Sequence, residues 1–351
     1  MTPSITRHWI LSKKPTDLPI LSGPDSTFSL ATKPLPPVED GQVMIKVLYL
    51  SNDPAQRLWI DPSIAPDRLY IEPVEVGDTM ASYTCICEII ESKATDLTIG
   101  ALILADVGWS EYAVLPAENC IPINPIKGLK PVHYVSLFGV AGVTAYYGLV
   151  DIARTTANDA VVISGAAGAV GSIAVQIAKN VLGCKRVIGI AGTDAKCRWV
   201  ESLGADICLN YTSKDFEVAL KEATDGFVEV FFDNVGGEIL DLMLTRVKKD
   251  GRIAACGAIA EYNGGERSGI KKWYHVIAMR LQIRGFVVLD AIPTGRWTAI
   301  VEALVQGFQD RKIKATDEGL TIRQSSFEDV PKTWMGLFDG RNSGKLLTQL
   351  L

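Results

Sequence analysis

The stretch Val161-Val162-Ile163-Ser164-Gly165-Ala166-Ala167-Gly168-Ala169-Val170-Gly171 decides how this chain is read. Its β-branched start reads as a buried strand, its middle as a glycine-rich turn, and its continuation over Val170–Leu182 as an apolar helix. Small residues in such a turn let the backbone approach a pyrophosphate. The helix N-terminus adds unpaired N–H groups and positive potential. The spacing is Ala166-x-Gly168-x-x-Gly171, so the first glycine of the usual dinucleotide fingerprint is replaced. The same residues would also serve as a tight turn with no ligand. The strand–turn–helix context favours the dinucleotide.

Outward from this turn, apolar runs alternate with helical segments. Strands are expected at Ala160–Ser164, Arg186–Ala191, Ile207–Leu209, Phe227–Phe232, Arg252–Cys256 and Leu281–Val288. Helices are expected between them at Lys196–Leu203, Phe216–Ala223 and Ile239–Val247. Strict alternation means crossover connections and a parallel sheet. Residues 1–130 instead carry prolines and short β-like runs, such as Val43–Leu50, Cys85–Ile90 and Ala101–Ala105. The chain returns to short segments after about residue 310 and ends in the apolar strand Leu346–Leu351. The expected fold is α/β: a doubly wound parallel-sheet (Rossmann) domain over 131–309, inserted in a mostly β domain formed by 1–130 and 310–351. Two domains also suit 351 residues, because a single core stops growing near that length.

Composition narrows the function classes. A hydrophobic share of 48% and a charged share of 21% are those of an ordinary globular protein. A net charge of -5 offers no face for nucleic acid or an anionic membrane. The most apolar run, Val135–Val150, is too short to span a bilayer and reads as a buried helix. The N-terminal stretch MTPSITRHWILSKKP lacks the apolar segment of a signal peptide. Seven scattered cysteines suit a reducing cytoplasm, and none of the three histidines stands at zinc-ligand spacing. No metal is expected.

The end of the second strand speaks to cofactor choice. NAD-binding folds place an acidic side chain there for the ribose 2′-hydroxyl. Here the strand ends in Ala191-Gly192-Thr193, leaving room for a 2′-phosphate, with Lys196 one turn later as counter-charge. Lys196 could otherwise be a solvated surface lysine. Asp194 is read as a cap of the helix that begins there. NADPH is the expected cofactor.

In this order the motifs resemble one family, the leukotriene hydroxydehydrogenase/prostaglandin reductase group, which includes plant alkenal double-bond reductases. The resemblance rests on Asp53-Pro54 with Arg57, Gly108-Trp109 with Glu111-Tyr112, and Ala141-Gly142-Val143-Thr144-Ala145-Tyr146. It continues through Ser164–Ser172, Gly192–Lys196, Asn210-Tyr211, Asp233–Gly237, Gly251–Ala258, Tyr262-Asn263, Gly285–Val288 and Gly340–Lys345. It implies a zinc-free medium-chain dehydrogenase/reductase whose outer domain is GroES-like. The implied reaction is hydride transfer from NADPH to the β-carbon of an enal or enone, with protonation at the α-carbon.

The resemblance further implies that Gly168, Ala169, Val170 and Gly171 hold the pyrophosphate. Gly192, Lys196 and Tyr211 would face the adenosine end, while Asn234, Cys256, Phe286, Val288 and Asn342 line the remainder. Tyr262 would lie beside the nicotinamide ribose and support the reaction, since a hydroxyl donor stabilises charge developing on the substrate oxygen. Plainer roles stand beside these. Tyr262 could pack without chemical duty, Asn234 and Asn342 could serve turns, and Cys256 could be a small buried apolar residue.

Three departures from the family pattern bear on substrate. Ala55 stands where an aromatic is usual, Tyr83-Thr84-Cys85 replaces a glycine-rich stretch, and Val140-Ala141 replaces Met-Pro. The expected partner is a small enal or enone, and the sequence admits a homodimer without specifying one. A quinone reductase or secondary-alcohol dehydrogenase on the same scaffold is the alternative within enzymes. A non-catalytic, crystallin-like NADPH-binding protein is the alternative outside them.

Overall fold

The structure, a computed structural model, describes residues 2–264 and 269–351. The chain divides into two compact units. The first comprises residues 1–135, 320–342 and 346–351, and the second comprises residues 136–319 with 343–345.

The second unit is built on a six-stranded, wholly parallel sheet. Its strands are β1 (Ala160–Ile163), β2 (Arg186–Ala191), β3 (Ile207–Asn210), β4 (Val228–Asp233), β5 (Val247–Ala255) and β6 (Gln282–Gly285). Their order across the sheet is β3-β2-β1-β4-β5-β6, the doubly wound arrangement in which the winding reverses between β1 and β4. All four residues of β1 and all six of β4 are buried. That is why β1 reads as an unbroken apolar run and β4 as apolar on both faces but for Glu229 and Asp233, rather than alternating.

The helices are α1 (Val140–Tyr147), α2 (Ala169–Gln176), α3 (Asp194–Ser202), α4 (Phe216–Ala223), α5 (Gly237–Met243), α6 (Tyr274–Ala278) and α7 (Arg296–Gln309). Two of them differ from the expected spans because they end in a wide turn. Ala153 N–H donates to Gly148 O after α1, and Leu182 N–H donates to Ile177 O after α2, each at 2.9 Å. The expected helix to Val247 stops at Met243, and Val247 instead opens β5. The 14-residue α7 buries Ile300, Leu304 and Gly307.

The first unit is mostly antiparallel β. A seven-stranded sheet pairs Gln42–Ser51 with Cys85–Ser92 and, through its first half, with Tyr112–Pro116. A separate two-stranded ribbon joins Ile5–Leu11 to Phe28–Pro34. Its core holds Trp59, Trp109 and Trp334. Phe28 and Trp109 meet Trp334 edge-on, at 5.9 and 5.7 Å between ring centres. Among the described residues, no helix is long and apolar enough to cross a membrane.

Candidate functional site

The glycine-rich turn is held by backbone contacts on three sides. Ala166 N–H donates to Ile190 O at 2.9 Å, Gly168 N–H to Gly165 O at 2.9 Å, and Gly344 N–H to Ala167 O at 2.8 Å. The residue that makes the tight bend is Gly165, with φ 57°, one position before the alanine that replaces the fingerprint's first glycine. Ala166 fits because Gly189 faces it on β2; a Cβ on Gly189 would lie 3.1 Å from that of Ala166. At Gly171 an added Cβ would come within 2.2 Å of Gly165 O, so only glycine lets α2 start directly on the turn. Gly168 is the N-cap of α2 and contributes no capping side chain. The first-turn N–H groups of Ala169, Val170 and Gly171 thus point out of the helix end with positive potential.

Beside this turn, β1 and β4 are joined at their carboxyl ends by a buried relay. Asn234 N–H donates to the Ser164 hydroxyl at 2.8 Å, which donates to Asp233 Oδ1 at 2.7 Å. The same carboxylate accepts from Val235 N–H at 3.0 Å and Gly236 N–H at 3.1 Å. Burial pushes the Asp233 pKa upward, and the Ser164 hydroxyl with these amides pulls against that shift. The Asn234 side chain donates to Ser164 O at 2.7 Å, so its amide ties the two strands together.

Next along the sheet, Cys256 N–H donates to Asp233 O at 2.8 Å. Desolvation and the neighbouring Asp233 carboxylate push its thiol up to about 12. A thiol so placed stays protonated and acts as a small apolar group. The Tyr262 hydroxyl folds back over the following loop and accepts from Ala258 N–H at 3.1 Å. A Cβ on Gly257 would lie 3.3 Å from that hydroxyl. Phe286 packs edge-on against Tyr147 and Phe232, and the absent side chain of Gly148 makes room for its ring. Val288 is buried nearby in sequence.

On the other side of the turn, Tyr211 stands over Gly192. A Cβ at Gly192 would meet the Tyr211 ring at 3.2 Å and its hydroxyl at 3.3 Å. Thr193, not Asp194, caps α3: its hydroxyl accepts from Lys196 N–H at 3.2 Å. Asp194 is the first helical residue, and its carboxylate accepts from the Asn210 side chain at 2.7 Å, away from a capping role. Burial lowers the pKa of the Lys196 ammonium. A half-buried cation gains most from an anionic partner.

Every expected site residue in this unit therefore follows the carboxyl end of a strand of the one sheet. Gly168–Gly171 follow β1, Gly192 and Lys196 β2, Tyr211 β3, Asn234 β4, Cys256 and Tyr262 β5, and Phe286 and Val288 β6. That edge, where the winding reverses, is where doubly wound sheets bind ligands. Asn342 belongs to the first unit. Sequence reasoning gave no role to Ser164, Asp233, Gly165 or Gly344. Gly165 was legible as a glycine ahead of the bend. Gly344, with φ 61°, was not, because its constraint is the close passage of Gly319, whose O would lie 1.9 Å from a Cβ.

Residues 7–123 match the family described as the N-terminal domain of oxidoreductase, and residues 169–306 match the zinc-binding dehydrogenase family. Prostaglandin reductase 1 of Bos taurus is 34% identical over 355 residues, covering 98% of both chains. The chain belongs to the prostaglandin reductase group of medium-chain dehydrogenases/reductases. Within this group, the NADPH-dependent curcumin reductase of Escherichia coli is 30% identical over 98% of this chain and 96% of its own length. The crystal structure of CurA in complex with NADPH from Vibrio vulnificus superposes with a TM-score of 0.86 at 28% identity, covering 98% of this chain and 99% of the other. Despite the name of the second matched family, no group of three or more His, Cys, Asp or Glu side chains is arranged to hold a metal among the described residues.

Proposed function

We propose that the chain is an NADPH-dependent ene-reductase, which delivers hydride to the β-carbon of an α,β-unsaturated aldehyde or ketone, with protonation at the α-carbon. The observation that carries the NADPH half of this reading is the end of β2, where Tyr211 covers Gly192, Asp194 is engaged by the Asn210 side chain and the half-buried Lys196 follows. A ribose 2′-hydroxyl would find no carboxylate there in the usual place, whereas a 2′-phosphate would find an ammonium. The uncapped start of α2 fits the pyrophosphate of the same molecule. Support also comes from the Escherichia coli relative, whose name states NADPH dependence, and from the Vibrio vulnificus protein crystallised with NADPH.

When bound, NADPH supplies the hydride. The chain's own part is to bind, orient and stabilise charge. Ala169, Val170 and Gly171 present backbone N–H groups to the phosphates, with Gly168 as the small N-cap that lets them approach, and Lys196 with Tyr211 selects the adenosine end. Asn234 fixes the β1–β4 junction, and Cys256, Phe286 and Val288 furnish apolar surface beyond it. Hydride addition to an enone places negative charge on the carbonyl oxygen, and Tyr262 is the hydroxyl proposed to donate to it. An NADPH-oxidation screen over linear alkenals, cyclic enones, aryl enones, a quinone and a secondary alcohol tests the reading. Saturated carbonyl products from the enals or enones support it. Turnover of the quinone or the alcohol alone would overturn it.

A further inference from the structure

Two hydrogen bonds run from Asn234 to Ser164, across the point where the winding of the sheet reverses. The Asn234 N–H donates to the Ser164 hydroxyl at 2.8 Å, and the Asn234 side-chain amide donates to Ser164 O at 2.7 Å. Each bond has one possible polarity, because a main-chain N–H only donates and a carbonyl only accepts. The Ser164 hydroxyl, already an acceptor, therefore gives its single proton to Asp233 Oδ1 at 2.7 Å. The Asn234 amide must turn Nδ2 towards Ser164 and Oδ1 away from it. We infer that Ser164 and Asp233 are positioning residues, which hold Asn234 so that its Oδ1 accepts from an N–H or O–H donor on the nicotinamide half of the bound dinucleotide. The inference rests on the cofactor reading above.

The holding groups are buried and the held group is not. Ser164 and Asp233 are 0% and 1% exposed, whereas Asn234 is only partly buried. The Asp233 carboxylate folds the chain back by accepting from Val235 N–H at 3.0 Å and Gly236 N–H at 3.1 Å. Gly236 and Gly237 permit that fold, with φ 69° and 53°. Across from Asn234 lies the phosphate turn itself: a Cβ on Gly165 would sit 3.4 Å from the Asn234 Cβ. Among the described residues no donor meets Asn234 Oδ1, while its Nδ2 is engaged. The side chain thus presents a fixed acceptor at the edge where the ligand binds.

Topology says which part of the ligand meets it. Lys196 and Tyr211 follow β2 and β3, and the open start of α2 follows β1. A dinucleotide laid across the reversal, adenosine over β2 and β3, puts its other half over β4. Asn234 directly follows β4. The donors available on that half are the nicotinamide carboxamide and the hydroxyls of its ribose.

The experiment measures by calorimetry the binding of NADP+, of its 3-acetylpyridine analogue and of 2′-phospho-ADP. The last carries the adenosine end and the pyrophosphate but neither nicotinamide nor its ribose. Ser164→Ala should weaken NADP+ by about three- to tenfold, the scale of one neutral hydrogen bond, and leave 2′-phospho-ADP unchanged. Asp233→Asn should act alike; Ser164→Ala, which removes a single hydroxyl, carries the test if that variant does not fold. Added to Asn234→Ala, Ser164→Ala should cause no further loss, because it acts through that side chain. The analogue replaces the carboxamide nitrogen with a methyl group. If Ser164→Ala leaves its binding untouched, the carboxamide is the donor; if it weakens the analogue as it weakens NADP+, a ribose hydroxyl is. Equal losses for NADP+ and 2′-phospho-ADP would mean a loosened phosphate turn and overturn the inference, as would unchanged NADP+ affinity or additive losses. Binding of 2′-phospho-ADP to wild type, weakened in Lys196→Ala, tests the cofactor reading alone, so the two can fail separately.

Discussion

In the proposed reading, Lys196 is the side chain on which the choice between nicotinamide cofactors turns. Its ammonium is partly desolvated, so a 2′-phosphate would restore the interaction that burial removes. Lys196→Ala should weaken NADPH use by about 10- to 150-fold, the range for a hydrogen bond to a charged group, while NADH use barely changes. Steady-state KM values for both cofactors check this, and equal losses would reduce Lys196 to a structural role. Tyr262 carries a different expectation. Its hydroxyl already accepts from Ala258 N–H, so it is anchored to its own loop. Tyr262→Phe should lower kcat for enone reduction by roughly tenfold, because the cofactor's ribose hydroxyl can partly substitute as a donor. NADPH affinity measured alongside should stay nearly constant; an unchanged kcat would leave Tyr262 a packing residue. Ala55 bears on the proposed substrate pocket. It packs, partly buried, against the same core cluster as Tyr83, whose ring meets Trp59 edge-on at 4.7 Å. Ala55→Tyr should raise KM for bulky or branched enones and spare short linear alkenals. A uniform response of both classes would remove residue 55 from the substrate site.

The pairing of β1 with β4 is the element that both shapes the site and secures the sheet. At its carboxyl end the Ser164–Asp233 hydrogen bond ties the two strand ends together beside the turn. At its amino end Glu229 performs a comparable duty. Its carboxylate accepts from Ala160 N–H at 2.7 Å and pairs with Lys185 at 2.7 Å and Lys248 at 2.5 Å. Burial works to raise its pKa, but the two ammonium groups and the amide prevail and hold it down at about 2. A carboxyl depressed in the folded state stabilises the protein above its unfolded pKa, near 4.5, and loses that contribution as pH falls towards 2. The contribution is about 3 kcal/mol at most by linkage. Wild type should therefore lose more stability than Glu229→Gln between about pH 5 and pH 2, as measured by denaturant unfolding. Parallel curves for the two proteins would contradict this assignment. These networks were hidden in the sequence because Ser164 and Asp233, like Ala160 and Glu229, stand 69 positions apart. The strands themselves were legible because β1 and β4 are buried on both faces. The opening of β5 was not, since Lys248, Lys249 and Asp250 interrupt its apolar pattern. Helix α7 was readable in principle: Trp297, Ile300, Val301, Leu304 and Phe308 recur at helical spacing.

Across the whole molecule, the alternation of strands and helices and the order of motifs along the chain carried the fold and the family. Carboxyl-edge placement of the proposed cofactor residues in the parallel-sheet unit follows from that topology, so their positions along one edge were legible in the sequence. The internal hydrogen bonding of the site was not legible. The proposed substrate face was least so, because Ala55, Tyr83 and Val140 stand where the expected family pattern is broken and leave it unspecified. The proposed reaction nonetheless makes a demand independent of the natural substrate: hydride must reach the carbon β to the carbonyl, and the α-proton must come from solvent-exchangeable sites. NADPH deuterated at the transferred position, with an accepted enone in ordinary water, isolates that demand. Proton and deuterium NMR of the product should find the deuterium solely at the β-carbon, the carbonyl intact and the α-position protiated. Deuterium at the carbonyl carbon, with an allylic alcohol as product, would contradict the account.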